Sequence, residues 1–173
     1  MSDPTPSMER IWAPWRIEYV RNDKKEEECF LCRACEDEDD RDNLMLWRTD
    51  YSMCILNRWP YNNGHTLVAP RAHEGDISDM DDHELLDQMK CIQRCKDVLS
   101  RAVEPDGFNV GLNLGRSGGA GLTTHMHWHI VPRWHGDSNF MLTCAGTKVI
   151  PESLYELWEL LQQIDKGDST PEQ

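Results

Sequence analysis

The chain has 173 residues, enough for one domain with a substantial core. Its 18 basic side chains against 31 acidic ones give a net charge of −13, which argues against nucleic-acid polymers or anionic membranes as partners. A small anionic substrate is not excluded, because it needs only a local positive pocket. The absence of an apolar leader or long apolar run, with seven cysteines, predicts a cytoplasmic protein with reduced thiols.

The first part of the chain divides into an arm and an acidic stretch. Residues 1–28 begin with small polar residues and prolines and continue into an aromatic group, Trp12, Trp15 and Tyr19. We expect this N-terminal arm to pack on the protein body or on a partner subunit. Residues 33–43 are dominated by acids and predict a solvated loop.

Apolar runs separated by turn residues predict three strands next. These are Leu44–Arg48, Ser52–Asn57 and His65–Ala69. A long helix follows, capped by Asp79 or Asp81 and ending near Val103. Its apolar positions recur at helical spacing, and they are Leu85, Met89, Ile92, Leu99 and Ala102.

The second half contains two further strands and a last helix. Phe108–Asn113 alternates apolar and polar residues and predicts a strand that pairs with the one after it. Pro151–Ile164 predicts an amphipathic helix with Pro151 in its first turn. Strands joined mainly by short loops, with two helices, indicate an α+β fold with an antiparallel sheet of about five strands.

Three histidines, His125, His127 and His129, alternate with apolar residues within Thr124–Arg133. On a strand they would share one face, with neighbouring imidazoles roughly 6.5–7 Å apart. This spacing suits contact with one extended anion or with one metal. The loop before them, Asn113–Gly121, is rich in glycine, which lets backbone N–H groups approach a phosphate closely.

The histidine run resembles the His-φ-His-φ-His-φ-φ motif of the histidine-triad (HIT) superfamily of nucleotide hydrolases and transferases. Asn57–Pro70 and Cys29–Cys32 fit the same pattern. Residues 10–19 of the arm and residues 132–141 resemble a bacterial branch of the family that includes diadenosine tetraphosphate phosphorylases. The resemblance implies a HIT-like fold, a homodimer and a nucleotide substrate. We divide the chain into the arm 1–28, a HIT catalytic domain 29–150, and a C-terminal helix and tail 151–173.

The resemblance also implies roles for individual residues. His127 maps to a nucleophile that forms a nucleotidyl-histidine, His129 to a contact with phosphate oxygens that assists the leaving group, and His65 to a neighbour of the nucleophile. Asn57 maps to a contact with the ribose hydroxyls. The expected phosphate contacts are Asn113 and the backbone of Gly119, Ala120 and Gly121.

One departure from the family concerns a hydroxyl side chain before the triad. Many HIT proteins carry Gly-Gln-Ser/Thr there, but this chain has Leu122 in the hydroxyl position. The phosphorylase-like branch that the chain resembles also lacks this hydroxyl. Thr123 or Ser117 could substitute, and the sequence does not decide between them.

Cys29-x-x-Cys32 has the spacing of a zinc knuckle. In zinc-bearing HIT relatives the remaining ligands map to His73 and His125, so the resemblance implies a structural Zn²⁺ site of two cysteines and two histidines. Cys35 forms a second Cys-x-x-Cys with Cys32, so the ligand pair could shift by three residues. No organic cofactor is expected.

Dinucleoside polyphosphate cleavage at the α-phosphate, with phosphate or water as acceptor, is the leading hypothesis for function. A metal-dependent phosphohydrolase with a catalytic site made of the three triad histidines is an alternative. Hydrolysis of nucleoside phosphoramidates is another. A nucleotide-binding module without turnover would not need a complete triad.

Overall fold

The computed structural model of the protein describes residues 29–137, 150 and 152–167. The predicted arm, Pro151 and the C-terminal tail lie outside these residues. The elements in chain order are helix α1 (Phe30–Glu36), strands β1 (Met45–Arg48), β2 (Ser52–Leu56) and β3 (Thr66–Pro70), a 3₁₀ turn (Ile77–Asp79), helix α2 (Asp82–Val103), strands β4 (Gly107–Leu112) and β5 (Trp128–Arg133), and helix α3 (Leu154–Asp165).

The five strands form one antiparallel sheet in the order β1-β2-β3-β5-β4. The predicted pairing of β4 with the histidine strand is confirmed, since Gly111 lies opposite His129 and Leu112 lies opposite Trp128. The α+β architecture with one long helix and a C-terminal helix is therefore confirmed. None of the described helices combines the length and apolar character needed to cross a membrane.

Helix α1 differs from the prediction of a loop over residues 33–43. The helix continues to Glu36, because Leu31 and Ala34 on one side are buried in the core and outweigh the acidic character of residues 36–42. Asp37 ends the helix in an extended conformation. The prediction was wrong for its first residues, since tertiary burial stabilises a short helix that has little intrinsic periodicity.

Helix α2 begins where Asp81 caps it. The Asp81 carboxylate accepts hydrogen bonds from the backbone N–H groups of His83 and Glu84, and the Glu84 side chain accepts one from the Asp81 N–H. This capping box decides between the two predicted caps. The helix ends at Glu104, which adopts a left-handed conformation with φ 42° before Pro105.

The buried face of α2 differs from the predicted apolar positions. Met89 is exposed, while the fully buried positions are Gln88, Cys91, Cys95, Val98 and Leu99. Cysteines pack as small hydrophobes here, and Gln88 is buried because its amide is hydrogen bonded. The helix is therefore rotated so that its thiols contact the sheet, where Cys54 of β2 is also buried.

Candidate active site and metal centre

The three histidines do not lie on one regular strand face as predicted. Strand β5 begins at Trp128, so His125 and His127 lie in the preceding segment, and of the three only His129 is in the paired strand. His125 is fully buried, and His127 is nearly so. The segment leaves the sheet because it turns toward Pro70 and Glu74, whose carbonyls receive hydrogen bonds from it.

The ring of His127 is oriented by the backbone two residues earlier. Its Nδ1 lies 3.0 Å from the carbonyl oxygen of His125, and a carbonyl can only accept. Nδ1 therefore carries the proton in the neutral ring, and Nε2 keeps its lone pair. This is the tautomer that a nucleophilic imidazole needs.

His65 and His129 form a second hydrogen-bonded pair beside it. The backbone N–H of Tyr61 donates to Nδ1 of His65 at 3.0 Å, so the proton of the neutral His65 ring lies on Nε2. That Nε2–H donates to Nδ1 of His129 at 3.0 Å. His129 consequently carries its own proton on Nε2, and its ring centroid lies 5.1 Å from that of His127.

Tyr61 and Asn57 support this pair from the loop between β2 and β3. The Tyr61 ring stacks on the His65 ring with centroids 4.6 Å apart. The Asn57 amide donates to Nδ1 of His65 at 3.2 Å, and its oxygen accepts the backbone N–H of Trp59 at 3.0 Å. Asn57 therefore initiates the turn and orients a histidine in this structure.

The buried histidines favour their neutral forms. Burial, and then the neighbouring His129 and His127 rings, lower the pKa of His65 from 6.5 to about 3. Burial also lowers the pKa of His127, although its bond to the His125 carbonyl favours the charged ring. Unprotonated imidazole is the reactive form, so the site stays competent for nucleophilic attack to lower pH than a solvated histidine would.

The glycine-rich loop connects β4 to His125 and is largely exposed. It is closed on itself, because the N–H of Gly119 donates to Arg116 O and that of Ala120 donates to Gly115 O. A Cβ at Gly118 would lie 2.2 Å from the carbonyl oxygen of Leu114, so only glycine fits there. The side chains of Ser117 and Thr123, predicted as phosphate contacts, are exposed.

Asn113 and Gly121 complete the predicted loop contacts. The Asn113 amide lies 3.5 Å from Gly119 O, a long contact across the base of the loop. Gly121 is exposed at the point where the loop turns toward the histidines. The loop therefore presents hydroxyl and backbone groups outward, whereas the N–H groups of Gly119 and Ala120 maintain its shape.

The four predicted metal ligands converge. One donor atom from each of Cys29, Cys32, His73 and His125 lies within 4.8 Å of the others. Sγ of Cys29 lies 3.3 Å from Nδ1 of His125, and Sγ of Cys32 lies 3.1 Å from Nδ1 of His73. Ligands of a tetrahedral zinc ion are separated by about 3.3–3.8 Å, given Zn–S and Zn–N bonds of about 2.3 and 2.0 Å.

The chemistry of the donor set also fits a metal cation. Burial, and then the neighbouring Cys29 thiol, raise the pKa of Cys32 to about 11, so a bound cation would have to stabilise the thiolate near neutral pH. The His125 ring donates its Nε2–H to the carbonyl of Pro70 at 2.9 Å, which leaves Nδ1 facing the thiols. Cys35 is not in the cluster, so the described geometry favours the predicted pair Cys29 and Cys32.

One residue of the site was missed by sequence reasoning. Gln88 of α2 accepts a hydrogen bond from the Trp128 indole, between His127 and His129 in the chain. The signal was a polar residue at a position that continues the buried face of an amphipathic helix. Its spacing from Cys91 and Cys95 by three and seven residues would have placed it there.

The chain matches a known protein family and is similar to several known proteins. Residues 38–136 match the HIT domain. The chain is 36% identical over 161 residues to the AP-4-A phosphorylase of Mycobacterium tuberculosis, an alignment that covers 89% of this chain and 83% of that protein. It is 27% identical over 141 residues to an adenosine 5'-monophosphoramidase of Saccharomyces cerevisiae, covering 81% and 85% of the two chains.

Among solved structures, a Zn-bound histidine triad family protein from Mycobacterium smegmatis shares the fold with a TM-score of 0.65 and 25% identity. It covers 82% of this chain and 99% of its own. A histidine triad nucleotide-binding protein from Sulfolobus tokodaii gives a TM-score of 0.65 at 26% identity, over 80% of this chain and 93% of its own. The chain belongs to the HIT family of nucleotide-processing enzymes.

Proposed function

We propose that this protein cleaves dinucleoside polyphosphates of the diadenosine tetraphosphate type at the α-phosphate, through a nucleotidyl intermediate on His127. The observation that carries the proposal is the hydrogen bond from His127 Nδ1 to the His125 carbonyl, which leaves Nε2 as an acceptor-only nitrogen. His129 lies beside it with its proton on Nε2.

The first step forms one bond and breaks one. Nε2 of His127 attacks the α-phosphorus, and the bond between this phosphorus and the bridging oxygen breaks. The leaving nucleotide keeps that oxygen, which carries the negative charge of its terminal phosphate. The proton on Nδ1 stays on the ring, where the His125 carbonyl stabilises the resulting imidazolium. Nε2–H of His129 hydrogen bonds to the leaving oxygen as negative charge develops there.

The second step returns the enzyme to its starting state. An acceptor oxygen attacks the phosphorus, the N–P bond breaks, and Nε2 of His127 recovers its lone pair. We propose inorganic phosphate as the acceptor, so that AMP on the histidine leaves as ADP. The 36% identity to an AP-4-A phosphorylase across 89% of this chain supports phosphate over water.

The substrate contacts extend from the nucleophile to the loops on either side. We propose that Asn113, Ser117, Gly121 and Thr123 contact the phosphates, while Gly119 and Ala120 act through the loop shape that their hydrogen bonds maintain. Asn57 would contact the ribose through its amide, in addition to orienting His65. The side chains of Ser117 and Thr123 are exposed, which supports a direct contact of their hydroxyl groups with phosphate.

Zinc is our proposal for the four-ligand cluster. Cys29, Cys32, His73 and His125 would hold it as a closed structural site, in which the ion neutralises the thiolates and cross-links α1 to the segment that carries the nucleophile. The Zn-bound relative supports this assignment. A catalytic site of three triad histidines is disfavoured, because the two ring nitrogens of His125 face Pro70 and the cysteines.

Adenosine phosphoramidates are a second substrate class that the same nucleophile could cleave. The adenosine 5'-monophosphoramidase relative, 27% identical over 81% of this chain, favours testing it. Breakage of a P–N bond by His127 would give the same nucleotidyl intermediate, so the site does not distinguish the two classes by its nucleophile.

The intermediate itself provides the test. Protein mixed with diadenosine tetraphosphate without phosphate and quenched in alkali should gain the mass of one adenylyl group, which is AMP less one water, located on His127 by peptide mass spectrometry. Adding phosphate before the quench should remove the adduct. An adduct on another residue, or none under rapid quench while turnover proceeds, would contradict the mechanism.

A further inference from the structure

The nucleophile lies in a segment that the sheet does not hold. Pairing of β5 with its neighbours begins at Trp128, opposite Val68 on one side and Leu112 on the other. His127 comes immediately before this first pair and has no partner residue in the sheet. The position of its ring therefore depends on the contacts that hold the residues on each side.

The contact on the N-terminal side is formed by backbone groups. The N–H of Met126 donates to the carbonyl of Glu74 at 2.7 Å, and the ring of His125 donates to the carbonyl of Pro70 at 2.9 Å. Met126 is itself almost fully buried. This side of His127 is thus held against the segment that follows β3.

The contact on the C-terminal side is formed by side chains. The indole N–H of Trp128 donates to the amide oxygen of Gln88 at 2.8 Å. Gln88 is 0% exposed, and its amide nitrogen lies 2.7 Å from the sulfur of Met80, just before the cap of α2. A buried glutamine with both ends of its amide engaged is held in one orientation, so it fixes the indole as well.

We propose that Gln88 is a positioning residue, which orients the His127 nucleophile through the Trp128 indole. The inference rests on the proposed function. Trp128 follows the nucleophile directly and projects to the opposite side of the strand from His129. Rotation of an unanchored indole would move the adjoining backbone, and displacement of a reacting group by about 1 Å can cost roughly 100-fold in rate.

Three variants test the proposal. Gln88→Leu removes the acceptor, Trp128→Phe removes the donor while keeping an aromatic ring, and the double variant removes both. We expect each single variant to lower kcat about tenfold with KM within about twofold, and the double variant to be no slower than the slower single one. Gln93→Leu, an exposed glutamine of the same helix, serves as the matched control and should leave kcat unchanged.

If Gln88 and Trp128 contributed only to stability, the variants would give different results. A variant that melts at lower temperature but keeps the wild-type kcat would overturn the proposal, and so would additive losses in the double variant. If Gln88→Leu does not fold, Trp128→Phe alone decides, because it retains the buried glutamine and an aromatic ring while it removes the N–H together with part of the indole.

A spectroscopic readout separates this proposal from the proposed function. In ¹⁵N-histidine spectra, His127 of the wild type should show a protonated Nδ1 and an unprotonated Nε2, and both variants should show a mixture of tautomers. Failure of the wild type to cleave any nucleotide would refute the proposed function and leave this readout intact. An unchanged His127 spectrum in both variants would refute the positioning role.

Discussion

The His127 ring is specified by a single backbone contact, because the carbonyl of His125 decides which nitrogen is protonated. If His127 is the nucleophile, its side chain should be required for cleavage of the substrate but not for nucleotide binding. We expect His127→Ala to lower kcat by at least about 10³-fold while nucleotide affinity stays within about tenfold. Steady-state assays with calorimetric titration of a nucleotide check both parts. His83→Ala, an exposed histidine on α2, is the control, and substantial activity in His127→Ala would remove His127 from its assigned role.

His65 links the site to stability at acidic pH. Its pKa is about 3 in the folded protein and 6.5 when solvated, so below pH 6.5 the unfolded chain binds a proton that the native ring does not. The free energy of unfolding should therefore fall as pH decreases from 6.5 toward 3. Urea titrations at pH 7, 6, 5 and 4 measure this slope. His65→Gln should fold with a shallower pH dependence, and equal slopes in the two proteins would contradict the assignment.

At the scale of elements, the proposed metal ligands bring together the start of α1, His73 in the loop after β3 and the segment before β5. Loss of one ligand should therefore weaken the packing of these three segments on one another. We expect Cys29→Ser to reduce the bound zinc and to lower Tm by roughly 5–10 °C, equivalent to about 2–3 kcal/mol in a protein of this size. Metal analysis and thermal melts check this. Cys35→Ser should retain both metal and Tm, and an unchanged zinc content in Cys29→Ser would exclude the proposed ligand set.

The sequence was a good guide to elements with a local signal. The capping box at Asp81, the turn chemistry before His65 and the alternation in β4 are readable because each depends on residues close in the chain. The start of β5 was not readable, because His125 leaves the sheet to contact Pro70 and Cys29, which are distant in sequence. His127 beside it bonds to the His125 carbonyl instead of to a neighbouring strand. Period-two alternation alone cannot reveal such a long-range competition.

Some features of the candidate site were also predictable from the sequence, and others were not. The family resemblance predicted four metal ligands as a group, and the described geometry brings one donor atom of each within 4.8 Å of the others, so they could hold a metal ion. Gln88 was missed, because buried polarity depends on a partner that only the fold supplies. The engaged N–H groups of Gly119 and Ala120 could not be foreseen either, since they depend on how the loop closes.

At the scale of the whole molecule, the two edges of the sheet differ. Side chains of α3 cover the β1 edge, where the Trp158 indole donates to Met45 O at 2.8 Å. Within the described part of the chain, strand β4 is the other edge of the sheet, with Val110 47% exposed, and Leu86 and Met89 of α2 are also exposed apolar residues. An edge strand of this kind favours pairing with a second copy, so we propose that the homodimer forms there.

Substitution at this edge tests the dimer. Val110→Lys should shift the protein toward the monomer in light scattering at micromolar concentration, because a charged side chain on an edge strand opposes pairing. Tyr51→Lys, at a residue of similar exposure in the turn between β1 and β2, should leave the mass unchanged. A wild-type monomer, or a Val110→Lys dimer of undiminished stability, would place the interface elsewhere or exclude it.

The proposed reaction transfers a nucleotidyl group to phosphate through His127. The most direct measurement incubates the protein with diadenosine tetraphosphate and ³²P-labelled inorganic phosphate and separates the products. With phosphate, we predict ATP and ADP in equal amounts, with the label only in the β-phosphate of ADP. Without phosphate, we predict no ADP and no more than a single release of ATP from each site. AMP and ATP formed without phosphate would make water the acceptor, and label in ATP or no cleavage in either reaction would contradict the account.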